Sequence, residues 1–140
     1  FSAISRVYEY HITRLFSPFD YKRATLINYD INKNKLLECS KLIKGKRDFS
    51  SFCKANSEVK NKICNVTESF WTFSESKLIY HVRANRFLQH MVRLLVGSML
   101  EVARNKISLD EFEKLLLNKS LLSSFRAPAD GLYLTKVVYE

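Results

Sequence analysis

Acidic residues are scarce in this chain: 14 Asp and Glu stand against 23 Lys and Arg in 140 residues, leaving a formal net charge of +9. A surface with that balance attracts polyanions, nucleic acid ahead of an anionic membrane. The three cysteines, Cys39, Cys53 and Cys64, form no CxxC or Cys/His spacing, and an odd count without a signal segment argues for reduced thiols. His11, His81 and His90 make no HxxxH or HExxH pair, so no metal site is expected. No apolar run is long enough for a membrane span, because Arg93 and Glu101 interrupt the strongest one. Repeats and low-complexity segments are lacking as well. A cytoplasmic location is the expectation.

What is present suits one domain, residues 1 to 140, since 46% hydrophobic residues at this length supply a single core. The positive charge is concentrated early, with 13 Lys and Arg against 6 Asp and Glu in residues 1 to 62. Lys41, Lys44, Lys46, Arg47, Lys54 and Lys60 crowd a span that also holds Phe49 and Phe52, a mixture suited either to tracking a phosphate backbone or to an ordinary solvated face. The opening "FSAISRVYEYHI" has no methionine and already reads as strand, so a longer parent chain is expected.

Residues 2 to 13 alternate, with Arg6, Tyr8, Tyr10 and Ile12 on one face and Val7, Glu9 and His11 on the other. "SPFD" at 17 to 20 reads as a turn, and residues 20 to 31 carry no firm pattern. A helix is predicted from about Asn32 to Lys44, stopped near Gly45. "KGKRDFSSFCKANSE" reads as a basic loop, residues 60 to 73 as a strand, "SESK" as a hairpin turn and "KLIYHVR" as the paired strand. A long helix is predicted from about Asn85 to Arg104. Ser108 and Glu111 form a capping box opening a short helix to about Leu117, and "GLYLTKVVYE" closes the chain as a strand after a Pro- and Gly-containing loop. The resulting order, β-α-β-β-α-α-β, predicts an α+β fold of split βαβ type: an antiparallel sheet with helices packed on one face.

On a helix from Asn85 at roughly 100° per residue, Arg86, His90, Arg93 and Gly97 share one narrow stripe amid apolar neighbours. The stripe is either the solvated edge of an amphipathic helix or a cationic strip facing a carboxylate or phosphate, which a buried arginine requires. Gly97 would let another backbone or a nucleotide come close. Arg6, Tyr8 and Tyr10 similarly suit either a base-stacking surface or the edge of a core.

"ANRFLQHMVRLLVGSMLEVARNK" resembles the most characteristic segment of the TruA family of tRNA pseudouridine synthases. "FSAISRVYEYHI", "DFSSFCKA" and "APADGLYLTKVVY" resemble three more of its segments, in the family's order and spanning Phe1 to Tyr139. The resemblance implies half of the pseudouridine synthase fold. It also implies isomerisation of uridine to pseudouridine in the anticodon stem-loop of tRNA, without metal or organic cofactor, by a homodimer. Position by position, Tyr8 matches the tyrosine packed against the target base, Arg93 the arginine paired with the catalytic aspartate, and Leu132 an apolar pocket residue. Arg6, Lys46, Arg47, Lys54, Arg86 and His90 are the candidates for tRNA contacts.

The family's aspartate lies in a segment of the form R-T-D-x-G-V-H, which does not occur here. The chain therefore resembles the C-terminal part of such an enzyme, expected to be inactive alone. Ala129 and Asp130 stand where the family often has Pro-His, and Gln89 where it often has an aromatic residue or His. A non-catalytic RNA-binding module of RRM type would share the element order, but "KLIYHVRA" lacks its third-strand pattern of Lys/Arg-Gly-aromatic-Gly-Phe. A degenerate paralogue that lost its aspartate is the third reading.

Overall fold

The computed structural model describes residues 3–19 and 23–140. Its elements are β1 (Ala3–Thr13), β2 (Thr25–Leu26), α1 (Lys33–Ile43), β3 (Gly45–Asp48), β4 (Ile63–Phe73), β5 (Lys77–Ala84), α2 (Met91–Ala103), α3 (Leu109–Leu116) and β6 (Leu132–Tyr139). Short 3-10 turns at Ser50–Phe52 and Ala129–Gly131 complete the path. All strands join one six-stranded sheet in the order β3-β4-β5-β1. On the far side of β1, β6 pairs along Ala3 to Tyr10, and β2 pairs in parallel with Ile12 and Thr13. Every other pairing is antiparallel.

The helices lie on one face, as the alternation of the strands requires. Tyr10 and Ile12 of β1, Leu78, Tyr80, Val82 and Ala84 of β5, and Cys64, Val66 and Trp71 of β4 are buried in one cluster with residues of α1, α2 and α3. Burying a side chain the size of Leu or Phe contributes roughly 1.5 to 3 kcal/mol. Two core hydroxyls must keep partners to be there at all. Tyr80 donates to Ser69 Oγ (2.6 Å), which donates on to the Ser40 carbonyl (2.8 Å), while Tyr10 donates to the Pro128 carbonyl and accepts from Thr25 Oγ1 (2.7 Å).

Local signals account for most boundaries. The Asn32 side chain accepts from Lys35 N at the start of α1, and Ser108 Oγ accepts from Glu111 N (3.1 Å) at the start of α3. Three expectations need correction. The basic stretch 44 to 58 is not all loop: Gly45–Asp48 pairs with β4 as an edge strand. Phe49 and Phe52 are 1% and 0% exposed, their rings packed on each other and, from Phe52, on Phe112, so neither is available to a nucleic acid. Tyr10 is likewise core, not a stacking platform.

The third correction concerns the long helix, which starts at Met91 instead of Asn85. Asn85 continues the sheet: its N–H donates to the Asn65 carbonyl (3.2 Å) and its Oδ1 accepts from Asn65 N (2.7 Å). Arg86 then donates to the carbonyls of Asn61 (2.7 Å) and Ile63 (3.3 Å), and His90 turns the chain at a φ of 66° before α2 begins. The stripe running from Arg86 to Arg93 is therefore not a helix face. Asp20 of the expected turn at 17 to 20 lies outside the described residues.

Candidate active site and nucleic-acid interface

α2 is enclosed on nearly every side, with only Arg93 and Glu101 of its thirteen residues keeping partial exposure. α1, α3, β1 and the turn at Ser50–Phe52 cover part of it, and the segment before β6 covers the side that carries Arg93 and Gly97. Ala127 N donates to the Arg93 carbonyl (2.9 Å), Arg93 Nε donates back to the Ala127 carbonyl (2.8 Å), and Phe125 N donates to the buried Ser98 Oγ (3.1 Å). Gly97 is what permits this approach. A Cβ there would sit 2.0 Å from the Phe125 carbonyl oxygen and 2.8 Å from Ala127 N. The close neighbour foreseen for Gly97 is thus a backbone of this chain.

At the N-terminal end of α2 lies a cavity of about 230 Å³ lined by Tyr8, Phe87, Leu88, Gln89, His90, Met91, Val92 and Leu132. Tyr8 projects from β1 toward the helix side, and the bulge between Val7 and Tyr8 in the pairing with β6 adjusts its direction. The rings of Tyr8 and Phe87 meet edge to face, centroids 4.9 Å apart. An aromatic pair backed by Leu132 and Val92, with Gln89 and His90 at its polar side, makes a slot large enough for a planar base. Arg93 does not line the slot but follows Val92 in the first turn of α2. It is half-buried, and among the described residues its guanidinium forms no ion pair, its one hydrogen bond being that from Nε.

The remaining candidates separate. His90 lines the slot, and Lys54, exposed, is held near it because its N–H donates to the Gln89 carbonyl (3.0 Å). Arg86 is occupied with carbonyls just before and at the start of β4, those of Asn61 and Ile63. Arg47 donates to the carbonyls of Leu42 (2.8 Å) and Lys44 (3.2 Å), satisfying the end of α1, while its buried Nε has no partner. Lys46 is exposed on β3, the opposite edge of the sheet from β6, and Arg6 is half-buried on β1 opposite Ala84 and Val137. Arg126, which sequence reasoning passed over as part of a loop, places Nη1 3.4 Å from His90 Nδ1. Partial burial, then Arg126, Arg93 and Lys54, hold the His90 pKa below its ordinary value. Among the described residues no three His, Cys, Asp or Glu side chains gather as a metal site, and no helix is long and apolar enough to cross a membrane.

Residues 39–140 match the family described as tRNA pseudouridine synthase. The chain belongs to the tRNA pseudouridine synthase family. It is similar to tRNA pseudouridine synthase A of Bacillus licheniformis (38% identical over 143 residues), of Bacillus subtilis (35% over 143) and of Azobacteroides pseudotrichonymphae (34% over 140). Each match takes in 99 to 100% of this chain but only 56 to 58% of the relative. The chain thus spans little more than half the length of these curated pseudouridine synthases, and its mixed α/β architecture is consistent with half of that fold.

Proposed function

We propose that this chain forms one wall of the active cleft of an enzyme that isomerises uridine to pseudouridine in the anticodon stem-loop of tRNA. The observation that carries the reading is Arg93. Its Nε–H is tied to Ala127, while its two terminal nitrogens keep a charge that nothing among the described residues neutralises, beside a slot made by Tyr8, Phe87 and Leu132. A half-buried guanidinium in that position suits an aspartate from polypeptide outside this chain, whose pKa it would lower against the rise that burial imposes.

Isomerisation breaks the bond between ribose C1′ and uracil N1, turns the ring and joins C1′ to C5; the C5 proton passes to solvent while N1 takes one up, so no atom is gained or lost. The aspartate serves either as a nucleophile at C1′ or as a base, and Tyr8 retains and orients the detached ring against Leu132. The base must first leave its stack, at a cost that basic contacts to neighbouring phosphates offset. No cofactor takes part. The same reading makes the intact enzyme a cytoplasmic homodimer acting on tRNA, with this chain inactive by itself.

In the full-length protein, Arg93→Ala is expected to abolish release of tritium from tRNA labelled at uracil C5 while weakening tRNA binding far less. Near-normal turnover would remove Arg93 from the chemistry.

A further inference from the structure

Beside the base slot, on the other side of His90, lies a second and larger cleft of about 570 Å³. One wall is the turn after β3, with Ser50, Ser51 and Lys54; the other is the segment 122 to 126, with Ser123, Ser124 and Arg126. The walls are tied together, since Ser124 Oγ donates to the Ser51 carbonyl (2.6 Å) and Ser51 Oγ donates to Asn118 Oδ1 (2.8 Å). Lys54 is anchored through its backbone to Gln89. None of the eleven residues lining the cleft is acidic.

The arrangement concentrates positive charge without answering it. Arg126 comes to 3.4 Å from His90 Nδ1, and Arg126 and Lys54 both repel a proton there. Both cations are exposed, and neither forms an ion pair among the described residues. The hydroxyls of Ser50, Ser51 and Ser124 already donate to Asp48, Asn118 and the Ser51 carbonyl, which leaves the two cations and Ser123 as the donors facing an open cleft, a set that matches an anion with several acceptor oxygens. His90 and Leu94 belong to the same short stretch of chain that walls the base slot, so an anion here lies next to whatever occupies the slot.

We propose that this cleft is a phosphodiester subsite, in which Lys54 and Arg126 hold an RNA backbone phosphate adjacent to the nucleotide inserted against Tyr8. This rests on the tRNA reading above and assigns to one site a contact that net charge leaves diffuse. A phosphate gripped beside the slot would fix the ribose on which the exchange occurs, so the extruded base enters in one register.

The test uses the full-length enzyme and an anticodon stem-loop RNA, with the dissociation constant measured across a series of KCl concentrations. The double variant Lys54→Gln/Arg126→Gln, which releases the one phosphate, is expected to reduce the slope of log Kd against log salt by about 0.7 to 0.9, and Arg126→Gln and Lys54→Gln alone each by part of that. Arg126→Lys, which keeps the charge, should keep the slope. Lys106→Gln, just past the other end of α2, should also keep it. If wild type binds with a normal slope and both glutamine variants reproduce it, the subsite is wrong while the functional reading stands. If wild type does not bind the RNA, both fall together.

Discussion

Under the proposed function Arg93 would divide its guanidinium between two tasks, and its bond to Ala127 bears on whether lysine would serve. Nε donates to the Ala127 carbonyl at 2.8 Å, which restrains the plane of the group and leaves its two terminal nitrogens without a hydrogen bond among the described residues. A lysine supplies the charge without that restraint. Arg93→Lys in the full-length enzyme is therefore expected to lower kcat by about a hundredfold, the scale of a small misplacement in an active site, with little change in the Kd for tRNA. The two residues beneath the same segment act differently. Gly97→Ala drives a methyl group to within 2.0 Å of a backbone oxygen, so a loss of about 3 kcal/mol or more in urea unfolding is expected. Ser98→Ala leaves the Phe125 N–H without its acceptor, at a cost of about 1 to 3 kcal/mol in the same measurement. If Ser98→Ala instead left stability unchanged, the segment would not be held as described.

Among the elements, those with a local signal were legible before any coordinates. α3 is the clearest: Ser108 caps it by accepting from Glu111 N, Asp110 and Glu111 favour its positive end, and Phe112, Leu115 and Leu116 make its buried face. Ser108→Ala is expected to cost about 1 kcal/mol of stability, with hydrogen exchange rising first at the start of α3. β2 and β3 were not legible, because two and four residues carry no periodicity of their own and become strands only by pairing with β1 and β4. The start of α2 was misplaced for a different reason. Phe87 and Leu88 satisfy helical spacing, yet Asn85 pairs with Asn65 and Arg86 with the carbonyls of Asn61 and Ile63, tertiary partners invisible in a spacing pattern. Tyr8 and Leu132 could be placed together only through family resemblance, since β1 and β6 meet from opposite ends of the chain. Arg126 carried no signal beyond lying just before "APADGLYL".

At the scale of the whole molecule, two histidines held below their ordinary pKa set how stability and RNA binding respond to pH. His81 lies on the helix-free face of the sheet. Phe70 stacks on it at 4.6 Å, Glu9 Oε2 is 3.4 Å from Nδ1, Thr72 Oγ1 is 2.8 Å from Nε2, and the same Glu9 also holds His11 at 2.9 Å. Burial lowers the His81 pKa, opposed by Glu9, just as burial and three cations lower that of His90. Both groups resist protonation more in the folded chain than in the unfolded one, whose histidines titrate near 6.5. Above that value neither state carries the proton and the two residues contribute no pH dependence. As pH falls through it the unfolded chain gains protons first, so stability declines. Urea midpoints measured at pH 8, 7, 6 and 5 should fall through the last two, and by less in His81→Gln, which removes one of the two groups. RNA moves His90 the other way: a phosphate between Lys54 and Arg126 offsets the charges that oppose its protonation. The His90 pKa read from imidazole NMR shifts should therefore rise when anticodon stem-loop RNA is added, while that of His81 stays put. A His90 pKa that does not respond would mean that no anion enters the cleft beside it.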